Sequence, residues 1–377
     1  RRHADDELLI KAAIAATPKE SILDPRFGSV LAHLASEALD AVGPDHPHRL
    51  LLLRGAAEAI TYHEPETLAS IAEDARLLAA RSDDPAAHYS VLVIEYLAAM
   101  SEPVSVRLAL SYEAREHARR HQLTREHGQA ARRLLAELFV VGRPDEITQE
   151  LEELARLARA TMTPQDLYWA AAFQATRALM HDPSSMAEEF INAAALLGRR
   201  LQIFDSTGTQ MLQTFALRYQ QGRSREITQH LRTPSPKAPQ VLAGTALLAL
   251  ALADAGRLDA ARQMLDAVIV SGSITLPRDN FRIAAMGLFG GVAAACGTAT
   301  QRAILRAGLE PRAAEFCVFG AGGAVFGTNH HWLGRLASAD GDRTAAAEHF
   351  REANRLCHHA GATFWAERAR QDATLLR

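Results

Sequence analysis

The stretches 241-VLAGTALLALALADAGRLDAARQMLDAVI-269 and 327-GTNHHWLGRLASADGDRTAAAEHFREANRLCHH-359 carry one pattern twice. In the first, an Ala/Leu segment runs to Gly256, a short turn follows, and a second amphipathic segment begins at Leu258. Glycine supplies the positive φ that stops a helix. Asp259 places a carboxylate in the first turn of the next helix, where the backbone dipole favours it. The second stretch turns at Asp340-Gly341-Asp342. Aligned on Gly256 and Gly341, Leu248 matches Leu333, Ala249 matches Gly334 and Leu252 matches Ala337. Beyond the turn, Ala261 matches Ala346, Leu265 matches Phe350 and Val268 matches Ala353. Small residues at fixed positions let two antiparallel helices approach, and one bulky side chain fills the seam. This order of small and large residues is the tetratricopeptide (TPR) pattern.

The pattern extends along the chain in looser form. Helix–turn–helix breaks fall near His63, Glu102, Gly142, Asp182, Gly222, Gly256, Gly297 and Gly341, about 40 residues apart. The interval from Gly222 to Gly256 is 34 residues, the usual TPR period. The expected fold is all-α, a right-handed α-solenoid of about eight TPR-like units. No run alternates apolar and polar residues between turn signals, so no strand is expected. The Pro-bearing stretches 233-TPSPKAP-239 and 275-TLPRDN-280 read as loops between units. Residues 1–23 fit no unit and read as a linker or the tail of an upstream domain. Residues 24–377 form the repeat domain.

Composition narrows the function. Of 377 residues 48% are hydrophobic and the formal net charge is −3, so the chain can bury a core and offers no basic surface for nucleic acid. No apolar run approaches the ~20 residues that span a bilayer. No secretory signal opens the chain. Cys296, Cys317 and Cys357 lack CxxC spacing, which fits a reducing cytoplasm.

Candidate chemistry concentrates in 316-FCVFGAGGAVFGTNHHWLGRLA-337. Val325 occupies the third glycine position of a dinucleotide fingerprint, and no GxxxxGK[ST] run occurs. Packing explains these glycines better than phosphate binding. His330 and His331 open one helix, and Cys357, His358 and His359 close its antiparallel partner. These are ligand types for a soft metal. Adjacent residues on a helix diverge by about 100°, so they cannot all converge. His117 and His121 read as a solvated helix face, and Asp45-His46-Pro47-His48 as a short loop. HEXXH and GxSxG are absent. The reading assigns no catalytic residue, no metal site and no cofactor.

In a TPR superhelix the first helices of successive pairs line the concave face. The inward positions are Gln129, Arg132, Trp169, Thr176, Tyr219, Leu250, Asp254, Thr328, His331 and Arg335. Arg132, Trp169, Tyr219, His331 and Arg335 are the candidate groove residues, for a peptide, a small-molecule effector or a protein partner. Close packing of the inner helices is the competing reading of this lining.

Four segments carry a resemblance: 84-DPAAHYSVLVIEYLAA-99, 213-QTFALRYQQGR-223, 247-LLALALADAGRLDAARQMLD-266, and the stretch from Cys317 to Arg377. The last holds a glycine-rich lead-in, a Leu-Gly helix and the closing stretch 365-WAERAR-370. Together they resemble the helical-repeat region of actinobacterial multidomain regulators. Those carry an upstream STAND-type ATPase module and often a C-terminal LuxR-type helix-turn-helix. Some relatives carry an adenylate/guanylate cyclase domain instead. The resemblance implies a non-catalytic sensor and interaction solenoid of a bacterial transcriptional regulator, working in the cytoplasm on a partner or on flanking domains. No Walker A lysine or DNA-contacting residue carries over to this chain. A free-standing scaffold and a helical region attached to a cyclase are the alternatives.

Overall fold

The structure is a computed structural model that describes residues 2–16, 25–44, 46–61, 65–203, 206–230, 242–272 and 281–376. The fold is an all-α helical-repeat array, an α-solenoid, with one small two-stranded sheet. Its first helices are α1 (Arg2–Ala16), α2 (Pro25–Ala41), α3 (Arg49–Ile60), α4 (Pro65–Ala79), α5 (Pro85–Ala98), α6 (Val104–Arg120) and α7 (Thr124–Val141). Then come α8 (Pro144–Thr161), α9 (Pro164–His181), α10 (Ser185–Arg200), α11 (Ser206–Gln220), α12 (Ser224–His230), α13 (Leu242–Asp254), α14 (Leu258–Val270), α15 (Arg282–Cys296) and α16 (Ala299–Leu309). Strands β1 (Phe316–Phe319) and β2 (Ala324–Thr328) follow, then α17 (Asn329–Ala339), α18 (Arg343–His359) and α19 (Thr363–Thr374).

Local chemistry sets many of these boundaries. Proline opens α4, α5, α8 and α9, where its missing N–H costs no hydrogen bond. The Asp84 carboxylate accepts from the Ala86 N–H, and Thr298 with Gln301 forms a capping box on α16. Seven of the eight expected breaks separate two helices of a pair; His63 lies outside the described residues, as do both Pro-bearing stretches. The turns at Gln122, Met162 and Gln202 also use positive φ but carry no glycine.

The repeat alignment maps onto burial. Every aligned helix position except Leu248 is buried, and the turn glycines Gly256 and Gly341 are exposed. At Gly334 an added Cβ would stand 2.7 Å from the Phe350 ring, so the small residue admits the large one.

The chain forms two compact units, one holding α1–α6 with residues 124–130, the other the rest of α7, α8–α19 and the sheet. In the first, Leu53, Ala57, Ile60, Leu68, Tyr89, Val93 and Leu97 form the main core. Within residues 1–23, α1 packs Ile10 and Ala13 on Ala38, Val42 and Leu52 of α2 and α3.

The sheet corrects the expectation of no strand. β1 and β2 pair antiparallel, with Phe316 opposite Thr328 and Phe319 opposite Ala324. All nine strand residues are buried, so neither strand shows the alternation of a half-exposed sheet. The turn is 320-GAGG-323, closed by Gly323 N–H donating to the Phe319 carbonyl at 2.9 Å.

Candidate functional site

The hairpin lies against the inner helices of the second unit. β2 packs on α9, α11, α17, α18 and α19, and β1 on α15. At its tip the Thr176 hydroxyl lies 2.9 Å from the Gly322 carbonyl and 2.8 Å from that of Gly323. The Gln213 amide donates to the Thr176 oxygen and to the Ala172 carbonyl. Glycine is required because a Cβ on Gly322 would stand 2.8 Å from the Phe173 ring. At the base, Trp332 Nε1 donates to the Phe326 carbonyl at 3.0 Å, and the Trp365 ring covers Gly327. The circuit closes where α19 packs back on α9 and the Thr363 hydroxyl donates to the His181 carbonyl.

Of the five candidate groove residues, Arg132, Trp169, Tyr219 and His331 are buried and Arg335 is half-buried. They separate into two clusters. Arg132 on α7 forms an ion pair with Asp166 on α9 at 2.9 Å, and Trp169 packs on Tyr168 and Phe173. Burial pushes the Asp166 carboxyl up, against the pull of Arg132. Of the remaining inward positions, Thr176, Leu250 and Thr328 are buried and Asp254 is exposed. Gln129 belongs to the first unit, where the Arg54 guanidinium donates to it at 2.6 Å.

The second cluster unites Tyr219, His331 and Arg335 with residues of α19. Tyr219 stacks on Trp365 with ring centroids 6.0 Å apart. His331 meets Trp365 edge-on at 5.4 Å and Trp332 at 5.0 Å. Its Nε2 lies 3.8 Å from the Asp372 carboxylate, which Arg368 approaches at 3.4 Å. The Arg335 guanidinium sits 5.9 Å from the Trp332 ring centroid. Burial drives the His331 imidazole well below its ordinary range, and the cations Arg335 and Arg368 push the same way. Burial likewise raises the Tyr219 phenol.

Three buried polar atoms here have no hydrogen-bond partner among the described residues: His331 Nδ1, Trp365 Nε1 and Asp372 Oδ2. Such groups cost about 1–3 kcal/mol each when nothing satisfies them. Arg335 is half-buried over the Trp332 ring and Asp254 is exposed. The cluster therefore offers donors and acceptors of both signs between aromatic rings, a setting for binding and orientation. Sequence reasoning missed Trp365, Arg368 and Asp372, although their i, i+3, i+7 spacing marks one helix face. The closing stretch 365-WAERAR-370 already contained two of them, Trp365 and Arg368.

The histidines and cysteines fall elsewhere than their sequence grouping. Cys357 is buried at Thr328, where burial pushes its thiol up to about 12, and Cys317 is buried against α15 and raised further. Neither suits a nucleophile. His358 and His359 are exposed. His330 instead meets His349, with the two Nδ1 atoms 2.9 Å apart. His117 and His121, with His88, line a cleft of ≈ 630 Å³ in the first unit. His88 and His117 each place Nε2 at 2.8 Å from a backbone carbonyl, of Ser82 and Pro85. Asp45 of the Asp-His-Pro-His loop lies outside the described residues. Among the described residues no three His, Cys, Asp or Glu side chains gather around one point, and no helix is long and apolar enough to cross a membrane.

No family model matches the chain, and no curated protein matches it. Among solved structures, a Rap protein complexed with Competence and Sporulation Factor aligns over 92% of this chain and 80% of its own, at 14% identity and a TM-score of 0.37. A circular tandem repeat protein with novel repeat topology aligns over 93% and 86%, at 12% identity and a TM-score of 0.22. At these scores neither neighbour assigns a ligand or partner to this chain.

Proposed function

We propose that this chain is the non-catalytic sensor and interaction solenoid of a bacterial ATP-dependent transcriptional regulator of the LuxR/STAND type. It would act in the cytoplasm on flanking domains or a protein partner, with a peptide or small-molecule effector engaging the second unit. The observation that supports this is the Tyr219–His331–Arg335–Trp365 cluster, in which His331 Nδ1 and Trp365 Nε1 are buried without a hydrogen-bond partner among the described residues. A ligand that satisfied them would favour one packing of α11, α17 and α19 over another, and so shift a population. Arg132 and Trp169 would support the inner face at the other end of the hairpin.

The test begins with the gene on both sides of these 377 residues. A Walker A motif upstream and a helix-turn-helix downstream are expected. In that full-length protein, Arg335→Ala should weaken the effector response of ATP hydrolysis and DNA binding while leaving thermal stability nearly unchanged. An adaptor gene without either domain, or an output indifferent to deletion of the second unit, would sink this reading.

A further inference from the structure

Outside that cluster, the seam between α17 and α18 holds two imidazoles in an unusual relation. His330 and His349 face each other with Nδ1 atoms 2.9 Å apart and ring centroids 5.2 Å apart. Both rings are half-buried. As they stand, one Nδ1 donates and the other accepts, so a single proton lies between them. We propose that this pair is a two-imidazole site for a divalent transition-metal ion of the Cu²⁺ or Ni²⁺ type.

The geometry carries the choice of ion. With metal–nitrogen bonds of about 2.0–2.1 Å, two ligands at 90° stand roughly 2.9 Å apart, and two at a tetrahedral angle roughly 3.3 Å. The observed separation is that of a hydrogen bond, and it also equals the cis spacing of a square-planar or octahedral ion, so Cu²⁺ or Ni²⁺ could replace the shared proton with little movement of the rings. To bind through both Nδ1 atoms, the donating ring moves its proton to Nε2 through solvent, with no net proton released. Burial holds both rings below their ordinary titration range, and the neighbouring His349 pushes His330 the same way.

Among the described residues no carboxylate joins the two imidazoles at one point, and the neighbouring charges act only from a distance. Glu352 lies one turn beyond His349, and Glu348 and Glu310 also favour positive charge on the pair, while Arg306 and Arg355 oppose it. Glu352 is held by Arg355, whereas Glu348 and Glu310 are exposed. Water would complete the shell, so this is an exchangeable site and not a closed structural one. His330 meets a residue in the middle of α18, while Cys357, His358 and His359 lie two turns further on.

The experiment is calorimetric titration of the tag-free chain, stripped with chelator, with NiCl₂ near neutral pH. One Ni²⁺ per chain should bind, and His330→Ala or His349→Ala should each weaken that site about tenfold or more. His117→Ala/His121→Ala should leave it unchanged. Cu²⁺ electron paramagnetic resonance on the wild-type chain, which needs no variant to fold, should show two imidazole nitrogens on one ion. A site no tighter than about 1 mM, a site that survives both single substitutions, or a spectrum without paired imidazoles would leave only a hydrogen-bonded histidine pair.

Discussion

Thr176 on α9 holds the carbonyl of Gly322, a residue 146 positions away, at 2.9 Å. The Gly323 carbonyl lies 2.8 Å from the same hydroxyl and the Ala172 carbonyl 3.3 Å, so one proton is shared between the hairpin tip and the helix's own backbone. Thr176→Val keeps the shape and removes the donor. Two buried carbonyls then lose their side-chain partner, at a cost of about 1–3 kcal/mol. The thermal midpoint should fall by several degrees, and amide exchange at Gly323 should accelerate. An unchanged midpoint would show that the hairpin tip is held by packing alone.

Gly334 and Phe350 make the second pairing, and it is the repeat pattern in miniature. Gly334→Ala drives a methyl toward the Phe350 ring and should cost about 1–3 kcal/mol by overpacking. The penalty should shrink when Phe350→Leu has already opened the seam. A double-mutant cycle from urea melts measures this coupling. Equal penalties in both backgrounds would mean the two side chains do not share one space.

The repeat was legible because its signal is local: glycine at the turn and small or large residues at helical spacing. Gly142, Gly222, Gly256 and Gly341 mark turns in sequence as they do in space. Gln122, Met162 and Gln202 adopt the same backbone without glycine, and the sequence gives no sign of them. The hairpin was hidden for a different reason. Period two appears only when one face of a strand meets water, and both faces of Phe316–Phe319 are covered. The candidate site was half legible. Tyr219, His331 and Arg335 follow from helical phase, whereas Trp365, Arg368 and Asp372 join them only because α19 packs back toward α9.

Arg132 and Asp166 test the buried charge at the other cluster. Asp166→Leu removes a carboxylate 2.9 Å from the guanidinium and should destabilise by about 3–5 kcal/mol. Replacing both, as Arg132→Met with Asp166→Leu, should recover much of that loss, because no lone charge remains buried. Chemical melts of the three variants decide it. A double variant as unstable as the sum of the singles would show that the pair acts through other neighbours.

His331 makes the stability of the chain depend on pH. In the unfolded chain an imidazole titrates near ~6.5, while burial holds His331 well below that in the folded state. Below pH ~6.5 the unfolded chain therefore takes up a proton that the folded chain refuses. Stability falls as pH drops, by up to about 1.4 kcal/mol per pH unit for one such group. His330 and His349 are shifted in the same direction and add with the same sign. Asp166, raised by burial, acts with the opposite sign, so the comparison must be between variants. Glu116 and Glu367, lowered to about 2 by their arginine partners, act only below the ordinary carboxylate range. Urea midpoints measured from pH 7.5 down to pH 5 should fall steeply in the wild type and less steeply in His331→Asn. Parallel curves would mean that His331 takes up its proton in the folded chain as readily as in the unfolded one.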